Sequence, residues 1–140
     1  MQRTAFSKGD VDRAIKSYDQ AIGLNAQYED AYVNRGVAYE GKRQFDRAIA
    51  DYDQALKLDP ADPVAFNNRG NVLKDLRRPE EALASYDRAI AIRPGYAEAF
   101  NNRGSVAITN DDREISESEV RNVLLNAKAV NIPMDHVVVH

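Results

Sequence analysis

Asn34, Asn68 and Asn102 stand 34 residues apart, and each is followed by arginine and glycine. A primary amide carries both a donor and an acceptor, the two functions needed to hold the N–H and C=O of an extended peptide backbone. The structural alternative is that these amides satisfy polar groups at helix ends or between helices. Arg35, Arg69 and Arg103 recur at the same interval, and Asp19, Asp53 and Asp87 recur in phase with them. The arginines could form a cationic stripe for an acidic partner. A set of Arg–Asp pairs between helices explains both series with one cause and is the preferred reading, each exposed pair contributing at most ~1 kcal/mol.

Catalytic groups are scarce. The only histidines are His136 and His140, with Asp135 beside them. A spacing of four suits two metal ligands on a helix, but Pro133 and the β-branched run at 137–139 disfavour a helix there. The segment reads as an extended or disordered tail. The chain has no cysteine, which excludes disulfides, thiol catalysis and cysteine-based zinc sites. Its glycines are scattered rather than gathered into a phosphate loop. The chain therefore reads as non-catalytic, with no metal or cofactor. A net charge of −3 and the lack of a basic run argue against nucleic acid as partner. No apolar stretch is long enough to span a bilayer, and the N-terminus lacks a signal-peptide core. A cytoplasmic protein without membrane contact is the expectation.

The elements that position these side chains are set by the period. Tyr-Asp-x-Ala recurs at 18–21, 52–55 and 86–89, so two independent markers share the 34-residue phase. Residues 29–62 laid over 63–96 are identical at 11 of 34 positions. Ala48, Tyr52 and Ala55 fall on one helical face. Pro60 and Pro94 close one unit before the next. Gly36 and Gly70 lie mid-helix, where glycine costs roughly 1 kcal/mol against alanine; such a position is tolerated where a side chain would obstruct packing. The pattern predicts helices over 12–24, 30–42, 46–58, 64–76, 80–92 and 98–109.

Tyr32, Gly36, Tyr39, Ala48, Tyr52, Ala55 and Pro60 in one unit, and Phe66, Gly70, Ala82, Tyr86, Ala89 and Pro94 in the next, resemble the tetratricopeptide repeat. Leu73 replaces a tyrosine usual in the family. The repeats are similar to bacterial arrays, including those that precede O-linked N-acetylglucosamine transferase-like enzymes. The resemblance implies an all-α fold, a right-handed superhelical stack of antiparallel helix pairs. It implies that the first helices of successive units line a concave surface that receives a polypeptide. By matched position that surface carries Asp30, Val33, Asn34, Val37, Glu40 and Gly41, then Val64, Asn67, Asn68, Asn71, Lys74 and Asp75, then Glu98, Asn101, Asn102, Ser105, Ile108 and Thr109. Asn34, Asn67, Asn68, Asn71, Asn101 and Asn102 are the candidate peptide-binding residues. The series is similar to the asparagine ladder of the glycosyltransferase-associated arrays. Chaperone-binding members need Lys or Arg where this chain has Asp30, Val33, Val64, Asn67, Asn68, Glu98, Asn101 and Asn102; only the asparagines fit, so capture of a free C-terminal carboxylate is not expected.

The domain reading places a truncated first repeat at 1–28, full repeats at 29–62 and 63–96, and a partial, divergent repeat at 97–130. Ser116 and Glu119 read as a capping box before Val120, Val123, Leu124, Ala127 and Val130, which predicts a closing helix at about 116–130. The tail at 131–140 is extended or begins a further domain. An incomplete first unit exposes apolar surface and predicts self-association through terminal helices. Three functions follow: an adaptor that grips a segment of another protein, the substrate-selecting piece of a larger enzyme such as a glycosyltransferase, or a self-assembly module.

Overall fold

The computed structural model describes residues 7–109. Six α-helices occupy them: α1 (Lys8–Leu24), α2 (Glu29–Gly41), α3 (Phe45–Leu58), α4 (Pro63–Asp75), α5 (Pro79–Ile92) and α6 (Ala97–Thr109). The closing helix expected at 116–130, the tail, and His136 and His140 lie outside the described residues. Five of the six expected helices start one residue early. The first starts at Lys8 instead of 12, because the Ser7 hydroxyl accepts the Asp10 N–H at 3.2 Å and caps a further turn.

Local chemistry sets the other limits. Asp62 caps α4 by accepting from the Val64 and Ala65 amides, and Pro63 and Pro79 occupy first turns, where a missing N–H is harmless. The turns within each pair are closed in the same way. Gln44 N–H donates to the Tyr39 carbonyl and Arg43 N–H to that of Glu40, both at 2.9 Å, and Arg78 and Arg77 repeat the pattern on Leu73 and Lys74. This double closure needs a left-handed residue after the helix. Arg43 and Arg77 take it, with φ of 60° and 58°. Glycine would adopt that conformation without strain.

α2 packs on α3 and α4 on α5 as antiparallel pairs, while α3 against α4 and α5 against α6 join one pair to the next. Small residues make the close approaches. Ala48, Tyr52, Ala55, Ala82, Tyr86 and Ala89 are all completely buried. A Cβ added at Gly36 would meet Tyr52 Cε1 at 2.6 Å, and one at Gly70 would meet Tyr86 Cε1 at 2.6 Å. The mid-helix glycines thus exist because a tyrosine ring packs against each. At Gly104, third in the series, an added Cβ would meet nothing within 4 Å among the described residues; the matching tyrosine position, 120, is valine. α1 buries no side chain fully, and Leu24 at its end is 90% exposed. No helix among the described residues is long and apolar enough to cross a membrane.

Candidate functional site

The first helices of successive pairs, α2, α4 and α6, are neighbours, and a series of arginines ties each of them to the flanking helices. Arg35 on α2 reaches backward to Asp19 on α1 at 2.8 Å and forward to Asp51 on α3 through two bonds of 2.8 and 2.7 Å. Arg69 repeats the geometry on α4, reaching Asp53 at 2.8 Å and the Ser85 hydroxyl at 2.9 Å. Arg103 reaches Asp87 at 2.6 Å. The Arg–Asp pairs expected from the period all form, each joining a helix to the preceding pair. The forward partners, Asp51 and Ser85, were not anticipated. Their signal was present: each lies 16 residues after its arginine, as far ahead as Asp19 and Asp53 lie behind. Asp51 is 5% exposed and holds the Arg35 guanidinium firmly protonated. The planar group also lies over the rings of Tyr32 and Tyr39, at 5.7 and 5.8 Å. These arginines are structural links rather than a free cationic stripe.

The packing tyrosines carry polar tips into the same region. The Tyr52 hydroxyl donates to Glu40 at 3.0 Å, and that of Tyr86 to the Asn71 side-chain oxygen at 2.6 Å. Burial pushes both hydroxyls well above the ordinary phenol range, Glu40 adding to the effect on Tyr52. Burial also raises the Glu40 carboxyl; the Tyr52 hydroxyl opposes that shift, Asp75 on α4 reinforces it, and Lys74 beside Asp75 opposes it. Asp75, Glu40 and Glu98 all act on Tyr86. Carboxylates from three successive first helices therefore share one electrostatic neighbourhood.

The candidate asparagines divide into two groups. Asn67 is completely buried; it accepts from Asn102 at 3.1 Å and donates to Glu98 at 3.4 Å. That bond joins α4 to α6, and the register is Asn67 with Asn102 rather than the in-phase pair Asn68 and Asn102. Asn71 accepts from Tyr86, which leaves its NH2 to donate. Asn34 and Asn101 are exposed and Asn68 half-buried, and none of the three makes a side-chain hydrogen bond among the described residues. Of the remaining matched positions, Val33 is buried and Val37 is 47% exposed.

A second acidic group was missed in the sequence. Glu29, Asp59 and Asp62 bring carboxylate oxygens within 4.8 Å of one another at the start of α2 and α4. Asp62 is engaged as the α4 cap, and Asp59 accepts from the Ala61 amide at 3.1 Å. One Glu29 oxygen is buried without a partner. Burial, then Asp62 and Asp30, pushes Glu29 from its usual 4.5 up to about 8. Between those values the folded chain keeps a proton that the unfolded chain has lost, so stability should fall as pH rises from 4.5 to about 8. Glu29→Gln should flatten that decline and melt higher than wild type at pH 8. Melting temperatures of both proteins across this range check it; parallel profiles would contradict it.

Tetratricopeptide repeat family models match residues 29–62 and 63–96, and a second model of the same repeat matches residues 3–42. The chain belongs to the tetratricopeptide repeat family. Solved tetratricopeptide domains share the fold. The first such domain of Spaghetti (RPAP3), bound to the HSP90 peptide SRMEEVD, is 26% identical with a TM-score of 0.70, over 73% of this chain and 81% of that one. The Arabidopsis OM64 tetratricopeptide domain is 26% identical with a TM-score of 0.70, over 72% of this chain and 84% of that one. The second domain of human RPAP3, in complex with the HSP70 peptide SGPTIEEVD, is 26% identical with a TM-score of 0.68, over 71% and 83%. Residues 95–140 also match the model of the SHS2 domain inserted in FTSA, which overlaps the segment read as a divergent repeat. No curated protein matches the chain.

Proposed function

We propose that this chain is a protein-interaction module whose α2, α4 and α6 face holds a polypeptide segment. One observation carries the reading. The face belongs to a fold that overlays, at a TM-score of 0.70, a tetratricopeptide domain with a bound peptide, and its amides at Asn34, Asn68 and Asn101 have no partner among the described residues. Such amides, with the free NH2 of Asn71, can bond an extended backbone regardless of its side chains. Asn67 and Asn102 support the face by fixing α4 to α6. The ligand residues are therefore Asn34, Asn68, Asn71 and Asn101, a narrower set than the six amides legible in the sequence.

Asn34→Ala, Asn68→Ala and Asn101→Ala combined should weaken binding of an extended peptide at least about tenfold, three bonds at about 0.5–1.5 kcal/mol each, and leave the melting temperature nearly unchanged. Fluorescence anisotropy of a labelled peptide and thermal melts of the same samples measure both. Undiminished affinity would remove the amides from the site. A self-assembly role has support of its own: α1 has no fully buried side chain, and Leu24 at its end and Tyr28 before α2 are exposed.

A further inference from the structure

We propose that the α2, α4 and α6 face selects a basic segment, receiving lysine or arginine side chains in the field of Glu40, Asp75 and Glu98. The inference rests on the proposed peptide-holding function and adds the chemistry of the partner. The matched positions of this face carry Asp30, Glu40, Asp75 and Glu98 against the single ammonium of Lys74. None of these five groups forms an ion pair among the described residues. Lys74 alone acts on Glu40 from this face; other cations on or next to these helices are held elsewhere. Arg35, Arg69 and Arg103 are bound to Asp19, Asp51, Asp53 and Asp87, and Lys42 is bound to Asp12.

Burial sharpens the effect at Glu40. Its carboxylate is partly withdrawn from water and accepts from the neutral Tyr52 hydroxyl, so a charge there gains more from a cation than a surface carboxylate does. Asp75 and Glu98 come from the two adjoining first helices, so the field extends along the face rather than sitting at one point. Exposed Val37 lies one turn before Glu40 on α2 and gives the aliphatic stem of a lysine an apolar surface to lie on. Like charge works against the opposite ligand. The peptides SRMEEVD and SGPTIEEVD, held by the solved relatives, end in acidic residues, and the three arginines in phase on these helices are already paired.

The test uses the full 140-residue chain and three labelled peptides. One is SRMEEVD; two are amidated versions in which its three acidic residues are replaced by glutamine or by lysine. At low salt the lysine peptide should bind at least about tenfold tighter than the glutamine peptide, the gap narrowing as salt screens the field. Glu40→Gln with Asp75→Asn should reduce that gap about fivefold, whereas Asp46→Asn on α3 should leave it intact. The side-chain amide introduced by Glu40→Gln still accepts from Tyr52, so the double variant should fold, which circular dichroism confirms. Equal affinity for the lysine and glutamine peptides would overturn charge selection and leave peptide holding in place. Tightest binding of SRMEEVD would also overturn it. No binding of any of the three would overturn peptide holding itself.

Discussion

Tyr86→Ala should destabilise the chain by about 3–5 kcal/mol, the range for deleting a large buried ring. Small domains are stable by roughly 5–15 kcal/mol in total, so this one change removes a large share. The ring is completely buried, lies on Gly70 and donates its hydroxyl to Asn71. Tyr86→Phe should cost only ~1 kcal/mol, because it loses one hydrogen bond and keeps the ring. The ring also explains the glycine. Gly70→Ala places a methyl 2.6 Å from Tyr86 Cε1. Overpacking of that kind costs roughly 1–3 kcal/mol, and improved helix propensity returns ~1 kcal/mol. With the ring removed, only the propensity gain remains. Gly70→Ala should therefore destabilise the wild type and stabilise Tyr86→Ala, a reversal that urea denaturation of the four proteins can read. The same cost in both backgrounds would show that the ring is not the reason for the glycine.

Arg35→Met should cost about 2–3 kcal/mol, Arg69→Met less, and Arg103→Met no more than ~1 kcal/mol. The order follows from solvent exposure. The Arg35 side chain is 20% exposed and its partner Asp51 only 7%, whereas Arg103 and Asp87 are 48% and 54% exposed. Removing Arg35 leaves Asp51 nearly buried with no cation, a charge that water cannot solvate. The cost falls below the roughly 3–5 kcal/mol typical of a fully buried pair because Arg35 retains some water contact. Arg69 leaves an exposed Asp53 and a neutral Ser85, a milder loss. Equal costs at the three positions would contradict this ordering. Peptide affinity should be unchanged in all three, since the guanidinium groups link helices and leave the binding amides untouched.

The helical frame was legible because its determinants repeat. Proline, glycine, alanine and tyrosine at fixed phase act through sterics that a sequence displays directly, and the helix limits came within a residue for five of the six. The Arg–Asp pairs were legible for the same reason. The site itself was less so. Asn67 and Asn68 are adjacent in sequence, yet one is buried between α4 and α6 and the other reaches the surface; a turn of about 100° per residue separates their directions. Phase alone grouped Asn34, Asn68 and Asn102, but the bond actually formed joins Asn67 to Asn102 across two units. Glu40 and Asp75 were read only as separate groove positions, because their shared field depends on how α2 and α4 approach each other. The crowding of Glu29 with Asp59 and Asp62 was missed for a similar reason: it depends on two helix starts meeting.

The claim that α2, α4 and α6 together hold a polypeptide is tested most directly by the side-chain amide signals of the 15N-labelled chain during titration with the lysine-bearing peptide. Saturable shifts are expected at Asn34, Asn68, Asn71 and Asn101, with the buried Asn67 moving little. Shifts confined to α1 and the turn after it, around Leu24 and Asn25, would place the contact away from this face and contradict the claim.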